Sequence, residues 1–263
     1  MSSSSSPRAV RLRPLALPVE HGGWSFLGAP VLLGLWVAPS VAGFWLSLAA
    51  LAAFLTRQPL KVAWADHQRG KRFPRTQWAE RFVLLYGGTA LVAFGAAWVT
   101  AAHAFWPPLL LAAPLAAVQL RYDLHKQSRA LLAELAGVTA ISALVAALAL
   151  AGGWAMVPAL ILWLLIALQA SAAILYVTTR LRLARGERVR PRRAYLAHLV
   201  ALGLVIGLAW AGLAPWLTVA AFLVLAARAW LGLQPRSLTT PTPLVGVQEL
   251  SVSLLTVASI ALG

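Results

Sequence analysis

Apolar residues along this chain run in long blocks broken by short polar stretches, without the strict alternation of a half-buried strand. Nine such blocks are legible: Gly22–Ala38, Val41–Leu55, Phe82–Ala102, Phe105–Leu120, Ala130–Ala151, Trp154–Val177, Tyr195–Gly212, Ala214–Leu233 and Leu244–Leu262. A helix that crosses a bilayer needs about 17–25 residues, so most blocks qualify, with the second at the short limit. The pattern therefore predicts an all-α, polytopic membrane protein of about nine transmembrane helices. Residues 1–16 read as a disordered basic tail and residues 17–263 as a single transmembrane domain.

The connections alternate in character. Pro39-Ser40, His103-Ala104, Gly152-Gly153 and Leu213 are tight turns without Lys or Arg. All 22 Lys and Arg residues fall in the tail, in the other connections, or beside them. In a nine-helix arrangement this places every cation on one side, which the positive-inside rule makes cytoplasmic. The N-terminus is then cytoplasmic and the C-terminus outside. Trp36, Trp98, Trp106, Trp154, Trp210 and Trp216 fall near the opposite ends, where an aromatic belt belongs. Tight outer turns pair helices one with two, three with four, five with six and seven with eight, leaving the ninth alone. Glycine and alanine abound within the blocks, for example Gly87-Gly88, Gly95, Ala133 and Gly137, and suit close helix packing in lipid.

Composition supports this reading. The chain is 60% hydrophobic and 11% charged with mean hydropathy +0.78, against roughly 45–50% and about 25% in soluble domains. It has no cysteine, which excludes disulfides and thiolate metal sites. The opening Met1–Ser6 run followed by Pro7 lacks the apolar core of a signal peptide. A net charge of +15 would suggest nucleic acid in a soluble protein, but no recognition motif or aromatic platform accompanies it, so nucleic acid is not an expected partner. The positive loops face the anionic lipids of the inner leaflet instead.

Candidate chemistry lies at the cytoplasmic helix mouths. All seven acidic residues fall in that half. Glu20 and His21 stand together before the first helix, followed by Gly22-Gly23-Trp24. Glu80 and Arg81 open the third helix. Glu134 lies about one turn inside the fifth and Glu249 one to two turns inside the ninth. Carboxylates at that depth face the bundle interior and need cations or water. Arg57, Arg81, Arg129 and Arg180 each sit at a helix mouth and can supply the charge. A polar cavity formed by Glu20, His21, Arg57, Asp66, Glu80, Arg81, Arg129, Glu134, Arg180 and Glu249 is one reading; a network of structural ion pairs is the other. Arg182, Arg185, Arg188, Arg190, Arg192 and Arg193 form a loop whose guanidinium forks match phosphate oxygens, either on headgroups or on a ligand. His21 could act as acid, base or ligand, but no metal-binding spacing of histidines occurs.

The motif Pro18-Val19-Glu20-His21-Gly22-Gly23-Trp24 with Pro30, then Arg57-Gln58-Pro59-Leu60, then Arg129 through Glu134 to Gly137, resembles the YwiC-like family of bacterial integral membrane proteins. The resemblance implies a bacterial cytoplasmic membrane location and carries no reaction with it. The helix count and the large cytoplasmic loops are also similar to the UbiA-type prenyltransferases, which implies a UbiA-like bundle. Those enzymes hold Mg²⁺ and a prenyl diphosphate on Asp-rich motifs in the loops after helices two and six. Here the corresponding loops offer only Asp66 and only Glu187, so no cofactor is expected outside that likeness. Three functions stay open: a cavity that binds an anionic lipid or isoprenoid phosphate, a UbiA-like transferase in which Arg57, Asp66 and Arg180 converge, and a transporter or non-enzymatic assembly protein.

Overall fold

The computed structural model describes residues 12–17 and 21–263, with side chains described from residue 23 onward in the second stretch. Glu20 lies outside the described residues, and His21 is described only as the first residue of its helix. The described chain is helical and without strands. A single turn, α1 (Arg13–Ala16), precedes nine longer helices: α2 (His21–Val37), α3 (Val41–Gln68), α4 (Pro74–Thr100), α5 (Trp106–Leu124), α6 (Leu131–Ala151), α7 (Met156–Ala184), α8 (Arg192–Trp210), α9 (Trp216–Gly232) and α10 (Thr242–Ala261). Six of them, α3, α4, α6, α7, α8 and α10, are long and apolar enough to cross a membrane, and α2 and α9 are shorter apolar helices.

Three helices continue past their apolar blocks at the basic end. The block Val41–Leu55 ends where Arg57 begins the polar stretch, yet α3 runs on to Gln68. Thirteen further residues (68 − 55) extend it by about 20 Å at 1.5 Å per residue. Its neighbour α4 starts at Pro74, eight residues before the block that begins at Phe82, with proline in the first turn where a missing N–H costs nothing. Helix α7 likewise outruns Val177 and ends at Ala184. Hydropathy marks where lipid ends, and the backbone hydrogen bonding of a helix has no reason to stop there.

The short turns gather at the other end. The Ala102 N–H donates to the Ala151 carbonyl at 3.0 Å, and His103 Nδ1 donates to the Trp154 carbonyl at 3.1 Å. Gly152 rests against Ala38. Gly263 packs on Pro215 and Leu217, so the last residue shares an end with the turn between α8 and α9. Trp210 and Trp216 meet edge-on across that turn, with ring centroids 6.0 Å apart.

Helix α6 occupies the centre. Every residue from Ser142 to Ala151 is buried, because α2, α3, α5 and α7 surround it. A helix enclosed on all sides must be built from small side chains if its neighbours are to come close, and α6 is mostly alanine and leucine. Helix α2 meets it at Gly34, where an added Cβ would lie 2.6 Å from both Cβ and Cδ1 of Leu148, itself fully buried. By contrast α4 packs along α3 and turns Leu84, Leu91, Val92 and Val99 outward, as a lipid-facing helix does.

The Gly34 contact gives a direct test. Gly34→Ala must push α2 away from Leu148, whose Cβ cannot rotate aside, and should cost about 1–3 kcal/mol. Thermal unfolding of the purified protein in detergent should show a lowered Tm; an unchanged Tm would mean that α2 and α6 do not pack this closely.

Candidate functional site

The polar extension of α3 carries Gln58, Lys61, Val62, Ala65, Asp66 and Arg69 at spacings of three and four, which places them on one stripe of the helix. That stripe forms one wall of a cavity of about 560 Å³. Pro14 and Leu15 of α1, Arg75 of α4, Asp123 and Leu124 at the end of α5, and Lys126 and Ser128 just beyond it complete the lining. Gln58 Nε2 donates to the Pro14 carbonyl at 3.3 Å, tying α1 to this wall.

Two buried carboxylates anchor the cavity, and each is neutralised by arginine. Asp66, in the last turn of α3, has no exposed surface. Arg75 reaches it with both forks, Nη2 to Oδ1 at 2.6 Å and Nε to Oδ2 at 3.0 Å, and Thr76 donates its hydroxyl at 2.8 Å. The Thr76 oxygen in turn accepts from the Phe73 N–H at 3.1 Å, so the carboxylate, the hydroxyl and the start of α4 form one chain of hydrogen bonds. A negative charge beside the N-terminus of α4 is also favourable to its dipole. Arg69 stands farther off, 3.9 Å from Oδ1.

Asp123 plays the same part at the end of α5. Arg57 of α3 donates to it from Nε and from Nη2, the latter at 2.8 Å, and Gln119, one turn earlier on α5, donates from Nε2 at 3.0 Å. Lys61 Nζ lies 3.4 Å from Oδ1. Gln119 can reach this position because Gly137 of α6 has no side chain: a Cβ there would overlap the Gln119 amide. Two helices, α3 and α5, thus meet at one carboxylate, and α6 leaves the room for it.

The turn after α5 holds a second peculiarity. Lys126 adopts φ 60°, the one left-handed non-glycine residue among those described. Helices often end this way, but with glycine, since a Cβ costs roughly 1–2 kcal/mol in that conformation. Here a lysine occupies the position and lines the cavity.

The remaining polar residues singled out in the sequence fall elsewhere. Glu80 is bound by Arg72 at 3.1 Å and by His67 Nε2 at 3.0 Å. Arg81 lies over the Trp78 ring, 4.8 Å from its centroid. Arg129 is exposed in the turn between α5 and α6. Glu134, in the first turn of α6, accepts from Thr178 of α7 at 3.5 Å. Arg182 pairs with Glu187 at 2.6 Å, and Arg185, Arg188, Arg190, Arg192 and Arg193 are exposed.

Arg180 and Glu249 belong to a separate cluster buried between α7, α9 and α10. Arg180 donates to the Tyr176 hydroxyl at 2.9 Å, to the Gly232 carbonyl at 2.8 Å and to the Ser237 carbonyl. Arg228 pairs with Glu249 and lies 4.1 Å from the centroid of the Tyr176 ring. Arg180 therefore does not line the cavity that holds Asp66; its N–H groups are spent on closing the end of α9.

Asp123, Lys61, Gln119, Arg75 and Lys126 are not among the residues the sequence singles out, yet they build this site. The i, i+3, i+4 stripe from Gln58 to Arg69 was the signal available for the α3 residues, while the pairing of Asp123 with Arg57, 66 positions away, left no local trace. A divalent cation does not fit these donors. Both oxygens of Asp66 and of Asp123 are engaged by arginine, and among the described residues no three of His, Asp and Glu come together.

A family model described as YwiC-like protein matches residues 17–149. No curated protein and no solved structure matches the chain. The matched stretch contains both buried carboxylates, their arginines and all the cavity wall except Pro14 and Leu15. The cluster around Tyr176 lies beyond it.

Removing the charge of Asp66 should expose how much that carboxylate holds together. Asp66→Asn weakens the charge-assisted bonds from Arg75 and is expected to cost about 2 kcal/mol, read as a lowered Tm in detergent. Stability equal to wild type would mean that the α3–α4 junction does not depend on this ion pair.

Proposed function

The chain belongs to the YwiC-like family, and from that premise we propose that it is a nine-span protein of the bacterial cytoplasmic membrane whose cytoplasm-facing cavity binds an anionic amphiphile, a lipid or an isoprenoid phosphate. The observation that carries this reading is the charge balance of the cavity wall. Arg75 satisfies Asp66 and Arg57 satisfies Asp123, so Lys61, Arg69 and Lys126 remain on the lining as positive charges in excess. A phosphate group supplies the missing negative charge. Leu15, Val62, Ala65 and Leu124 on the same open lining offer contact to an apolar chain.

The membrane arrangement rests on where the two kinds of connection lie. The uncharged turns meet one another at one end, and the cavity, Arg180 and the arginine loop lie towards the other. Trp216 and Gly232 bound α9, about 25 Å long for its 17 residues. Gly263 lies beside the first end of that helix and Arg180 binds the second. With the basic end facing the cytoplasm, the exposed arginines from Arg182 to Arg193 rest on anionic headgroups, each worth about 1 kcal/mol near the surface.

Two measurements test the proposal. A reporter that is active only outside the cytoplasm, fused after Gly263, should be active; a silent fusion would exclude the nine-span arrangement. Native mass spectrometry of the protein released from membranes should show retained phosphate-bearing lipid, and the double charge reversal Arg69→Glu, Lys126→Glu should lose most of it. Both residues are surface-accessible, so the fold should survive. Equal lipid retention by the two proteins would remove the cavity as the site.

A further inference from the structure

We infer that the cavity selects a ligand ending in a dianionic phosphate, a phosphomonoester or terminal diphosphate, with Lys61 and Lys126 as the residues that contact it. This rests on the cavity reading proposed above and narrows it to one headgroup chemistry and two side chains.

The cations differ in how many donors they have to spare, and Lys61, Arg69 and Lys126 have the most. Arg75 uses its Nε and Nη2 on Asp66, and Arg57 covers Asp123. Lys61, at 3.4 Å from Asp123, is held by charge but lies beyond good hydrogen-bond distance, so its ammonium keeps donors for a second acceptor. The Lys126 ammonium has no carboxylate partner among the described residues. An ammonium on a flexible stem is a mobile point charge with three rotatable donors, and it suits a phosphate oxygen that has two or three equivalent positions.

Lys126 holds the left-handed conformation at the end of α5, where glycine would be unstrained. Strain of this kind persists where the surrounding structure enforces it, and it concentrates at binding sites. The turn itself gives no reason for lysine: the backbone N–H of Lys126 closes on the Asp123 carbonyl at 3.1 Å, and the Gln127 N–H closes on Tyr122 at 2.8 Å, bonds that glycine would make equally well. What lysine adds is an ammonium at the cavity.

The charge of the lining sets the charge of the ligand. With Asp66 neutralised by Arg75 and Asp123 by Arg57, the lining cations left over are Lys61, Arg69 and Lys126, an excess above two charges. The carbonyls of Asp66 and His67 in α3 and of Arg121, Tyr122 and Asp123 in α5 accept turn N–H groups. A phosphodiester brings one negative charge and two free oxygens. A phosphomonoester brings about −1.5 to −2 near neutral pH and three free oxygens, closer to the charge excess and able to meet a lysine of α3 and a lysine of the turn after α5 at once.

The test uses the full-length protein in detergent and calorimetric titration with short-chain phosphatidic acid, short-chain phosphatidylglycerol and glycerol 3-phosphate. Phosphatidic acid should bind about tenfold or more tightly than phosphatidylglycerol, the scale of one additional charge-assisted hydrogen bond. Lys126→Gly should raise Tm by relieving the turn and yet abolish most of that preference, and Lys61→Gln should weaken phosphatidic acid more than phosphatidylglycerol. Glycerol 3-phosphate binding as well as phosphatidic acid would assign a soluble phosphate ester; phosphatidic acid alone binding would assign a lipid, and either supports the dianion. Equal affinity for the two lipids, or a preference untouched by both lysine substitutions, would overturn the inference while leaving an anion-binding cavity in place. Failure of the wild type to bind either lipid would instead remove the cavity reading itself.

Discussion

A helix enclosed on every side by other helices can approach them only if its own side chains are small, and α6 sets this condition for the whole bundle. In lipid there is little hydrophobic gain from bringing one apolar helix against another, so association depends on close contact and on satisfied polar groups. The alanines of α6, with Gly34 of α2 facing Leu148, allow backbones to come together around it. Gly137 extends the same principle to the cavity, where the missing side chain on α6 makes room for Gln119 and so for its bond to Asp123. Packing and site geometry thus share one helix.

The cavity itself is a consequence of helices that outlast the hydrocarbon. Once α3 and α4 continue into the polar zone, their facing surfaces need a different kind of joint, and Asp66 with Arg75 and Thr76 supplies it. A buried ion pair is rarely a large net stabiliser, because desolvation offsets the attraction, but removing one partner leaves an uncompensated charge. Such a joint therefore enforces a geometry more than it adds stability. The enforced geometry here holds two carboxylates and a surplus of lysine and arginine around one open space.

The second buried cluster works differently. Arg180, Tyr176 and Arg228 fill the space between α7 and α9, with Glu249 drawn in from α10 and His198 beside the Tyr176 ring at 6.4 Å between centroids. Arg180 satisfies the Gly232 carbonyl in the last turn of α9, a group that a helix end leaves without an intrahelical partner, and joins Thr240 on the Ser237 carbonyl in the turn that follows. The joint closes the C-terminal helices on one another, as Asp66 closes α3 on α4.

Much of the architecture was written in the order of residues. Apolar blocks and the chargeless turns between them are local properties, and lipid imposes them on each segment separately, so the helices could be read from the chain alone. The site was legible only in part. Asp66 and Arg57 stood out as charges beside apolar segments, and both reach the cavity region. Arg180 and Glu249 stood out for the same reason and lie in a different cluster, while Asp123, Lys126 and Gln119 gave no signal. Composition reveals that a buried charge must have a partner; it does not say which one. That choice is made by helix length beyond the membrane and by the close approach of α5 to α6 at Gly137, distances that exist only once the bundle is assembled.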